Sequence, residues 1–234
     1  MSETDCDPLF EKREKLVMRL MPYVQKHGFS SLKMDDAAKY MDISKPTMYK
    51  YFASKAEIAE SIIDKFVLYV SNQMLAEAPP TLATEQSSLP SAEELKRYGV
   101  SFASAFKLTI KLSFYLTDVL LQDLSNSYPD LYAKLAGAVE LCKNKLAAYI
   151  DSGVALGVFY PINARIYLTQ VELVFRKLLD PKWLMLQNMT MKQALMDFYK
   201  TMRHQVFYEK WLDEDDSAMG AYFDALIAGM RAYE

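Results

Sequence analysis

The stretch that decides the fold is residues 43–57, which read ISKPTMYKYFASKAE. Ser44 has a side chain suited to cap a helix N-terminus, and Pro46 fits the first turn, where its missing N–H would have no partner in any case. Met48 and Phe52 lie four residues apart, so both face one side of this helix, and we predict that they are buried. The outward rows carry Lys45 with Tyr49, and Pro46 with Lys50.

A shorter helix is predicted just before this stretch. Its apolar residues follow the helical spacing i, i+3, i+4 and i+7, and they are Met34, Ala37, Ala38 and Met41. Ser30 or Ser31 is suited to cap its start. The chain then breaks at Asp42 and Ile43, and aspartate tolerates the left-handed conformation that a tight turn requires. Two helices joined by a short turn are therefore expected.

The chain on either side of these two helices is also predicted to be helical. Upstream, an apolar stripe stops at Gly28, and we expect a bend between Met18 and Pro22 because a proline inside a helix removes a hydrogen bond. Downstream, Ser54 and Glu57 form the S-x-x-E pattern of a capping box, which opens the next helix. The inward residues of these flanking helices are Leu16, Val17, Leu20, Met21, Val24, Ile58, Ile62, Phe66 and Tyr69 or Val70.

The remaining chain is predicted to form helices separated by short breaks. Residues 78–91, APPTLATEQSSLPS, have the composition of a loop. Helical spacing then recurs over residues 95–106, 114–124, 128–149, 162–179, 195–206 and 219–230. Gly153 and Gly157 are expected to close the helix that begins at residue 128, and Pro161 precedes the next one. No run alternates apolar and polar residues as a strand does, so the sequence predicts an all-α fold.

The predicted helix over residues 162–179 is apolar on two sides. One face carries Leu168, Val171, Phe175 and Leu178. Ile166 and Leu173 lie roughly opposite. A surface helix needs only one apolar stripe, so a second one indicates burial on both sides. Two interpretations stay open: a central helix within one domain, or a helix that packs on its own domain and on a second subunit.

Composition excludes several classes of protein. Of the 234 residues, 51% are hydrophobic and 24% are charged, so the chain can form a sizeable core and is not a disordered tail. Two cysteines cannot build a disulfide framework. The N-terminus lacks the apolar centre of a signal peptide, and no apolar run reaches the ~18 residues of a membrane span. We therefore expect a soluble, cytoplasmic protein.

The net charge of −3 is unevenly distributed. Residues 9–70 carry eleven Lys or Arg against eight Asp or Glu, a net charge of +3, which leaves −6 in the rest of the chain. Between Ser44 and Lys55 there are three lysines and no acid. DNA affinity depends on local neutralisation of phosphates, so this segment suits a polyanion despite the overall charge. On charge alone, a solvated helix face is the simpler explanation.

The same segment resembles the DNA-binding domain of the tetracycline-repressor (TetR) family. The resemblance covers about residues 9–70 and rests on Gly28-Phe29, Asp36-Ala37-Ala38, the run from Ile43 to Phe52, and Ser54 to Glu57. It departs from the family at Lys33, where Ser or Thr is common, at Asp42, which replaces the turn glycine, and at Pro22. The resemblance implies an N-terminal three-helix DNA-binding domain with a helix-turn-helix, and a larger C-terminal helical domain for ligand binding and dimerisation over residues 71–234.

The resemblance also implies which residues meet double-stranded DNA. By position these are Lys33, Ser44, Lys45, Pro46, Thr47, Tyr49, Lys50, Tyr51 and Lys55. Tyr49 corresponds to a phosphate-binding tyrosine, Pro46 is placed to contact a thymine methyl group, and Tyr51 fits the core equally well. No arginine lies between Arg19 and Arg97. The reading face therefore lacks the two-pronged guanidinium contact to guanine, and we expect phosphate contacts to dominate binding.

The function expected from these features is that of a ligand-responsive repressor acting as a homodimer on a palindromic operator, with repression implied by the family's habit. Aromatic residues of the C-terminal domain suit an apolar or aromatic effector, although each is more simply explained as core: Tyr98, Phe102, Phe106, Phe114, Tyr115 and Tyr132. No ligand-binding residues are assigned. The alternative is a helical assembly protein that binds DNA constitutively and has no small-molecule ligand.

An enzyme with an appended DNA-binding head is a weaker alternative. The chain has no nucleophile elbow, phosphate loop or dinucleotide-binding glycine pattern, so we assign no catalytic residue and no cofactor. His27 and His204 have no ligand partners at metal-binding spacing, and no metal site is assigned. The acidic run over residues 213–216 is interpreted as a solvated loop before the last helix.

Overall fold

Regular structure in the chain is helical, as predicted. A computed structural model describes the backbone of residues 8–76, 92–211 and 216–231. Twelve α-helices lie within these residues: α1 Pro8–Met18, α2 Met21–His27, α3 Met34–Tyr40, α4 Lys45–Tyr51, α5 Lys55–Ala76, α6 Ala92–Tyr115, α7 Asp118–Ser127, α8 Pro129–Ala155, α9 Ala164–Leu178, α10 Pro181–Leu186, α11 Met191–Val206 and α12 Ser217–Arg231. The predicted loop over residues 78–91 and most of the acidic run lie outside the described residues.

The chain divides into two compact units. The first unit consists of Met1–Asn72 and Tyr115–Leu141, and the second of Gln73–Phe114 and Cys142–Glu234. Residues 115–141, which were predicted to belong to the C-terminal domain, therefore pack with the N-terminal helices. A functional boundary at residue 70 stays a prediction.

The predicted bend in the first helix is a complete break. Helix α1 ends at Met18, and α2 begins at Met21 with Pro22 in its first turn, where a proline needs no hydrogen-bond partner. Gly28 ends α2 with φ of +73°, a left-handed conformation that favours glycine. The predicted apolar stripe is buried, as shown by Leu16, Val17, Leu20, Met21 and Val24.

Two predicted helix boundaries are wrong. The single helix expected over residues 114–124 is divided, because α6 runs to Tyr115 and the Thr117 hydroxyl caps α7 by accepting the Leu120 N–H at 3.2 Å. Gly153 does not close α8, which continues to Ala155. Gly153 is instead a packing position, since a Cβ there would lie 2.1 Å from the Phe159 ring.

The core of the second unit is rich in aromatic side chains. Phe159 packs edge-on against Phe207, with the ring centroids 4.7 Å apart, and these two residues also form an isolated antiparallel bridge. The other large aromatic members of this core are Tyr98, Phe102, Phe106, Tyr149, Tyr167, Phe175, Phe198, Tyr199 and Phe223. Of the aromatic residues named for an effector, Tyr98, Phe102 and Phe106 belong to this core, whereas Tyr115 and Tyr132 belong to the first unit.

Helix α9 buries only one of its two apolar sides. Val171, Phe175 and Leu178 are buried in the core of the second unit, whereas Ile166 and Leu173 are 68% and 61% exposed. The interpretation of α9 as a central helix that is buried on both sides within one domain is therefore wrong. Within the described residues, no helix combines the length and the apolar character that crossing a bilayer requires.

Candidate nucleic-acid interface

The turn between α3 and α4 is tight because one residue adopts a left-handed conformation. Asp42 has φ of +56°, a left-handed conformation that aspartate tolerates, and the N–H of the next residue, Ile43, is donated to the Ala38 carbonyl at 3.1 Å. Arg19, which follows the last residue of α1, donates a hydrogen bond to the Met41 carbonyl at 2.6 Å. This hydrogen bond ties the turn to the N-terminal helices. The two helices are thereby held in a helix-turn-helix.

The start of α3 differs from the prediction. Its N-cap is Lys33, which makes no side-chain capping hydrogen bond. Neither serine caps this helix, because the Ser31 hydroxyl donates to the His27 carbonyl at 2.8 Å and the Ser30 hydroxyl pairs with that of Ser127 at 2.7 Å. Lys33 is exposed, so its side chain stands free at the helix start.

Helix α4 begins at the predicted cap. Ser44 has an extended backbone, and its hydroxyl oxygen accepts the Thr47 N–H at 3.2 Å. The hydroxyl groups of Ser44 and Thr47 also lie 2.7 Å apart. Pro46 occupies the first turn and is exposed. Both hydroxyls are therefore engaged in starting the helix.

The back of α4 is anchored by the two predicted core residues. Met48 and Phe52 are fully buried. The guanidinium of Arg13 lies 4.8 Å from the centroid of the Phe52 ring and also pairs with the carboxylate of Glu57. Tyr51 is half-buried, between the two positions that the sequence left open.

The α4–α5 turn departs from a full capping box. Ser54 accepts the Glu57 N–H at 3.2 Å, but the Glu57 carboxylate accepts the N–H of Ala53, at 2.7 Å, in place of that of Ser54. This backbone hydrogen bond, followed by the Arg13 pair, holds the pKa of Glu57 below its usual range. The charged carboxylate thus stabilises the turn that follows α4.

Besides Pro46, the front of α4 presents three exposed side chains, although they are not equivalent. Tyr49 is 47% exposed, and Lys50 is exposed in the last turn. Lys45 is also exposed, but its ammonium lies 2.6 Å from the Asp35 carboxylate on α3. This contact raises the pKa of Lys45 and lowers that of Asp35. Lys55, in α5, donates to the Ser30 carbonyl at 3.0 Å.

A family model covers this part of the chain. Residues 24–62 match the model described as bacterial regulatory proteins, tetR family. These 39 residues are therefore similar to the tetR family. We refer to residues 24–62 as the TetR segment. It contains α3, the turn, α4 and the first turns of α5, and all nine predicted DNA-binding residues lie inside it.

Solved structures of transcriptional regulators share the fold of most of this chain. One is a TetR transcriptional regulator from Chloroflexus aurantiacus, with 12% identity, a TM-score of 0.54, and coverage of 86% of this chain and 99% of that chain. Another is a putative transcriptional regulator from Saccharomonospora viridis in complex with choline, with 15% identity, a TM-score of 0.56, and coverage of 85% and 99%. A third is the ketosteroid transcriptional regulator of Mycobacterium tuberculosis, with 14% identity, a TM-score of 0.55, and coverage of 84% and 95%. At these identities the likeness establishes the fold alone. No curated protein sequence matches the chain.

Sequence reasoning missed one residue that supports the TetR segment. Asp123, in α7, accepts the N–H groups of Phe29 and Ser30 at 2.6 and 3.1 Å. A Cβ at Gly28 would lie 2.6 Å from the Asp123 carboxyl carbon, so this approach requires glycine. The contact joins residues more than 90 positions apart in the chain. No local pattern in the sequence signals it.

Nothing in the described residues points to metal chemistry at the TetR segment or elsewhere. No group of three His, Cys, Asp or Glu side chains is placed to hold an ion in those ranges. The surface of the segment offers positive charge, hydroxyl groups and an exposed proline on a helix whose back is buried. These are groups that bind phosphates and the edges of base pairs.

Proposed function

We propose that the chain is a transcription repressor that binds a palindromic DNA operator as a homodimer and releases it in response to a small molecule. The observation that carries the proposal is the presentation of α4. Its back is anchored by the fully buried Met48 and Phe52, and its front exposes Lys45, Tyr49 and Lys50. A helix held in this way fits the major groove, while the preceding helix crosses the backbone.

The nine residues predicted from the resemblance stay the proposed DNA-binding set, with different roles. Lys33, Pro46, Tyr49 and Lys50 are exposed and are proposed to contact DNA directly. Ser44 and Thr47 are proposed to act chiefly through the helix cap. Lys55 is proposed to contact the backbone beside Ser30, and the half-buried Tyr51 to line the edge of the face. Lys45 is considered separately below.

The sharpest test of the reading face uses two single variants. Tyr49→Phe and Lys50→Ala are each expected to weaken DNA binding roughly tenfold, because each removes one phosphate or base contact from both heads of a dimer. Tyr160→Phe and Lys182→Ala are matched controls, since both side chains are exposed in the second unit. Binding that is unchanged in both test variants would refute the assigned face.

Selection of bound sequences from a random duplex pool tests the operator. We expect a palindrome with half-sites about 34–36 Å apart, or a multiple of that distance, because the two heads of a dimer meet the same face of the duplex. A recovered site without two-fold symmetry would contradict the homodimer. If the protein bound a polyanion of equal charge as tightly as it binds DNA, the DNA-binding function itself would be contradicted.

A salt series tests whether phosphate contacts dominate. With no arginine between Arg19 and Arg97, binding relies on lysine point charges, so we expect log K to fall steeply with log salt, by about 0.9 for each phosphate contacted. Anisotropy titrations at several salt concentrations measure this slope. A nearly flat slope would contradict the prediction.

The proposed dimer contact is the outer face of α9. Ile166 and Leu173 are large apolar side chains that remain more than half exposed, and they lie about two turns apart on one side of the helix. Substituting both with lysine is expected to shift the protein from dimer to monomer in sedimentation velocity. The matched control places lysine at Thr201 and Gln205, which are exposed in α11 and lie one turn apart. A dimer that survives the Ile166 and Leu173 substitutions would require another interface.

The proposed effector is a neutral apolar or aromatic molecule that enters the core of the second unit. A cavity of about 10 Å³ lies there, and its walls carry no charged side chain. Phe102, Phe106, Tyr149 and Tyr167 line it; burial raises the pKa of both tyrosines well above 10, so they stay neutral. A cavity of this size holds about one water molecule, so a ligand must displace side chains to bind.

A thermal-shift screen of neutral aromatic compounds tests the effector. A compound that raises the melting temperature is expected to release DNA as well, since binding and release are linked. Ala105→Leu, which fills the cavity wall, is expected to abolish both effects while preserving DNA binding. If no compound in the screen affected DNA binding, this result would favour the alternative function, that of a helical assembly protein that binds DNA constitutively.

A further inference from the structure

Two lysines of α4 that look alike in the sequence differ in their surroundings. Lys45 is the first residue of α4, and its ammonium lies 2.6 Å from Oδ1 of Asp35 on α3. Lys50 lies in the last turn, and within the described residues no carboxylate forms an ion pair with it. Only one of the two charges is therefore held by the protein itself.

The position of Asp35 explains why the pair forms. Asp35 lies in the first turn of α3, where the helix dipole favours a negative charge. Lys45 lies at the N-terminus of α4, where the dipole disfavours a positive charge and where no acid of α4 itself is present. The Asp35 carboxylate is thus the partner that the Lys45 ammonium finds across the turn.

We propose that Asp35 restrains Lys45 and thereby weakens the binding of DNA phosphates by this helix-turn-helix. The proposal rests on the DNA-binding function proposed above. A phosphate that approaches Lys45 competes with a carboxylate already in place. Asp35 is 62% exposed, so it remains beside the incoming phosphate as a like charge that repels it. The carboxylate therefore acts against every duplex, whatever its sequence.

A matched pair of variants separates this contact from a general change of charge. Asp35→Asn removes one negative charge and the restraint on Lys45. Asp36→Asn removes one negative charge from the neighbouring position, whose carboxylate pairs with Lys39 at 3.0 Å and not with α4. Both residues lie in the first turn of α3, so the loss of favourable dipole energy is similar in the two variants.

The experiment measures binding of the full chain to a labelled mixed-sequence duplex by fluorescence anisotropy across a salt series. Relative to Asp36→Asn, Asp35→Asn is expected to bind about fivefold more tightly, and its salt slope to be steeper by roughly 0.9, the value for one further phosphate contact. In a Lys45→Gln background, Asp35→Asn is expected to have no effect beyond that of Asp36→Asn. Asp35→Glu, which keeps the negative charge, is expected to bind DNA with the affinity of the wild-type chain.

The outcomes distinguish this inference from the proposed function. If the wild-type chain binds duplex DNA but Asp35→Asn and Asp36→Asn are equal in affinity and slope, the restraint by Asp35 is refuted and the DNA-binding function stands. An effect of Asp35→Asn that persists without Lys45 also refutes it. If the wild-type chain binds duplex DNA no better than an equally charged polyanion, the proposed function fails and the inference fails with it. Thermal unfolding of each variant shows whether the fold is retained.

Discussion

The TetR segment and the core of the second unit use tyrosine in opposite ways. In α4, Tyr49 is 47% exposed on a helix whose back is fixed by two buried residues. In the second unit, Tyr149 and Tyr167 are buried, and their hydroxyl groups donate to the carbonyls of Tyr98 and Met202 at 2.8 and 3.2 Å. The same side chain is available to a partner in one region and engaged internally in the other. Residue type alone therefore does not reveal which tyrosines act on a ligand.

The largest effects are expected from truncating the aromatic anchor of each region. Phe52→Ala and Phe159→Ala each remove a buried ring, and each is expected to lower the free energy of unfolding by about 3–5 kcal/mol. Below the unfolding temperature, only Phe52→Ala is expected to weaken DNA binding, because Phe52 fixes α4. Chemical denaturation and anisotropy measure the two effects.

Neighbouring residues serve as controls for these truncations. Tyr160→Ala, beside Phe159, removes a ring that is 38% exposed and is expected to cost far less stability than Phe159→Ala. If Phe159→Ala weakened DNA binding as strongly as Phe52→Ala at a temperature where both are folded, the functional contrast between the two regions would be lost.

A smaller effect is expected from removing one helix cap in each region. Ser44 caps α4, and Thr190 caps α11 through a full capping box with Gln193. Ser44→Ala and Thr190→Ala are each expected to lower the free energy of unfolding by about 1 kcal/mol. DNA affinity is expected to fall only for Ser44→Ala, since only that cap starts the helix proposed to enter the groove. Equal DNA affinities in the two variants would show that the α4 start is not part of the interface.

The smallest effect concerns the dependence of stability on pH. The Glu57 carboxylate stabilises the α4–α5 turn only while it is charged, so acid is expected to weaken this part of the first unit. The pKa of Glu57 is lowered from its usual 4.5, mainly by the Ala53 N–H and then by Arg13. The stabilisation is complete above the usual pKa and is lost as the pH falls through the lowered pKa of the folded state. Glu57→Gln is therefore expected to be less stable than wild type at neutral pH and to lose less stability on acidification.

Denaturation midpoints between about pH 7 and about pH 3 check this dependence. Glu60→Gln, one turn further along α5 and exposed, controls for the loss of one negative charge. A Glu57→Gln profile parallel to that of the wild type would show that the turn makes no acid-sensitive contribution.

Local features of the first unit could be predicted from the sequence because they depend on a few adjacent residues. The Ser44 cap, the left-handed Asp42 and the burial of Met48 and Phe52 all follow from spacing and side-chain chemistry within one or two helical turns. The failure at the start of α3 has one local and one distant cause, since His27 is four residues from Ser31 but Ser127 is 97 positions from Ser30. The hydroxyl groups of Ser30 and Ser31, which were expected to cap α3, are taken by Ser127 and by the His27 carbonyl.

What could not be predicted depends on partners that are distant in the chain. Asp123 reaches Phe29 and Ser30 from α7, and Gly28 leaves the space that this contact needs. Gly153 resembles a helix terminator in the sequence, but the Phe159 ring occupies the space beside it. A turn signal and a packing requirement both select glycine, and only the neighbouring atoms distinguish them.

By itself the sequence determined that the chain is helical, where α4 begins and which side of α4 is buried, because helical periodicity and capping act over a few residues. Tertiary structure alone decided that Lys45 meets Asp35 while Lys50 stays exposed, and that residues 115–141 pack with the N-terminal helices. The physical reason is that a charge interacts with whatever the fold brings within a few ångströms, and sequence periodicity carries no record of that distance.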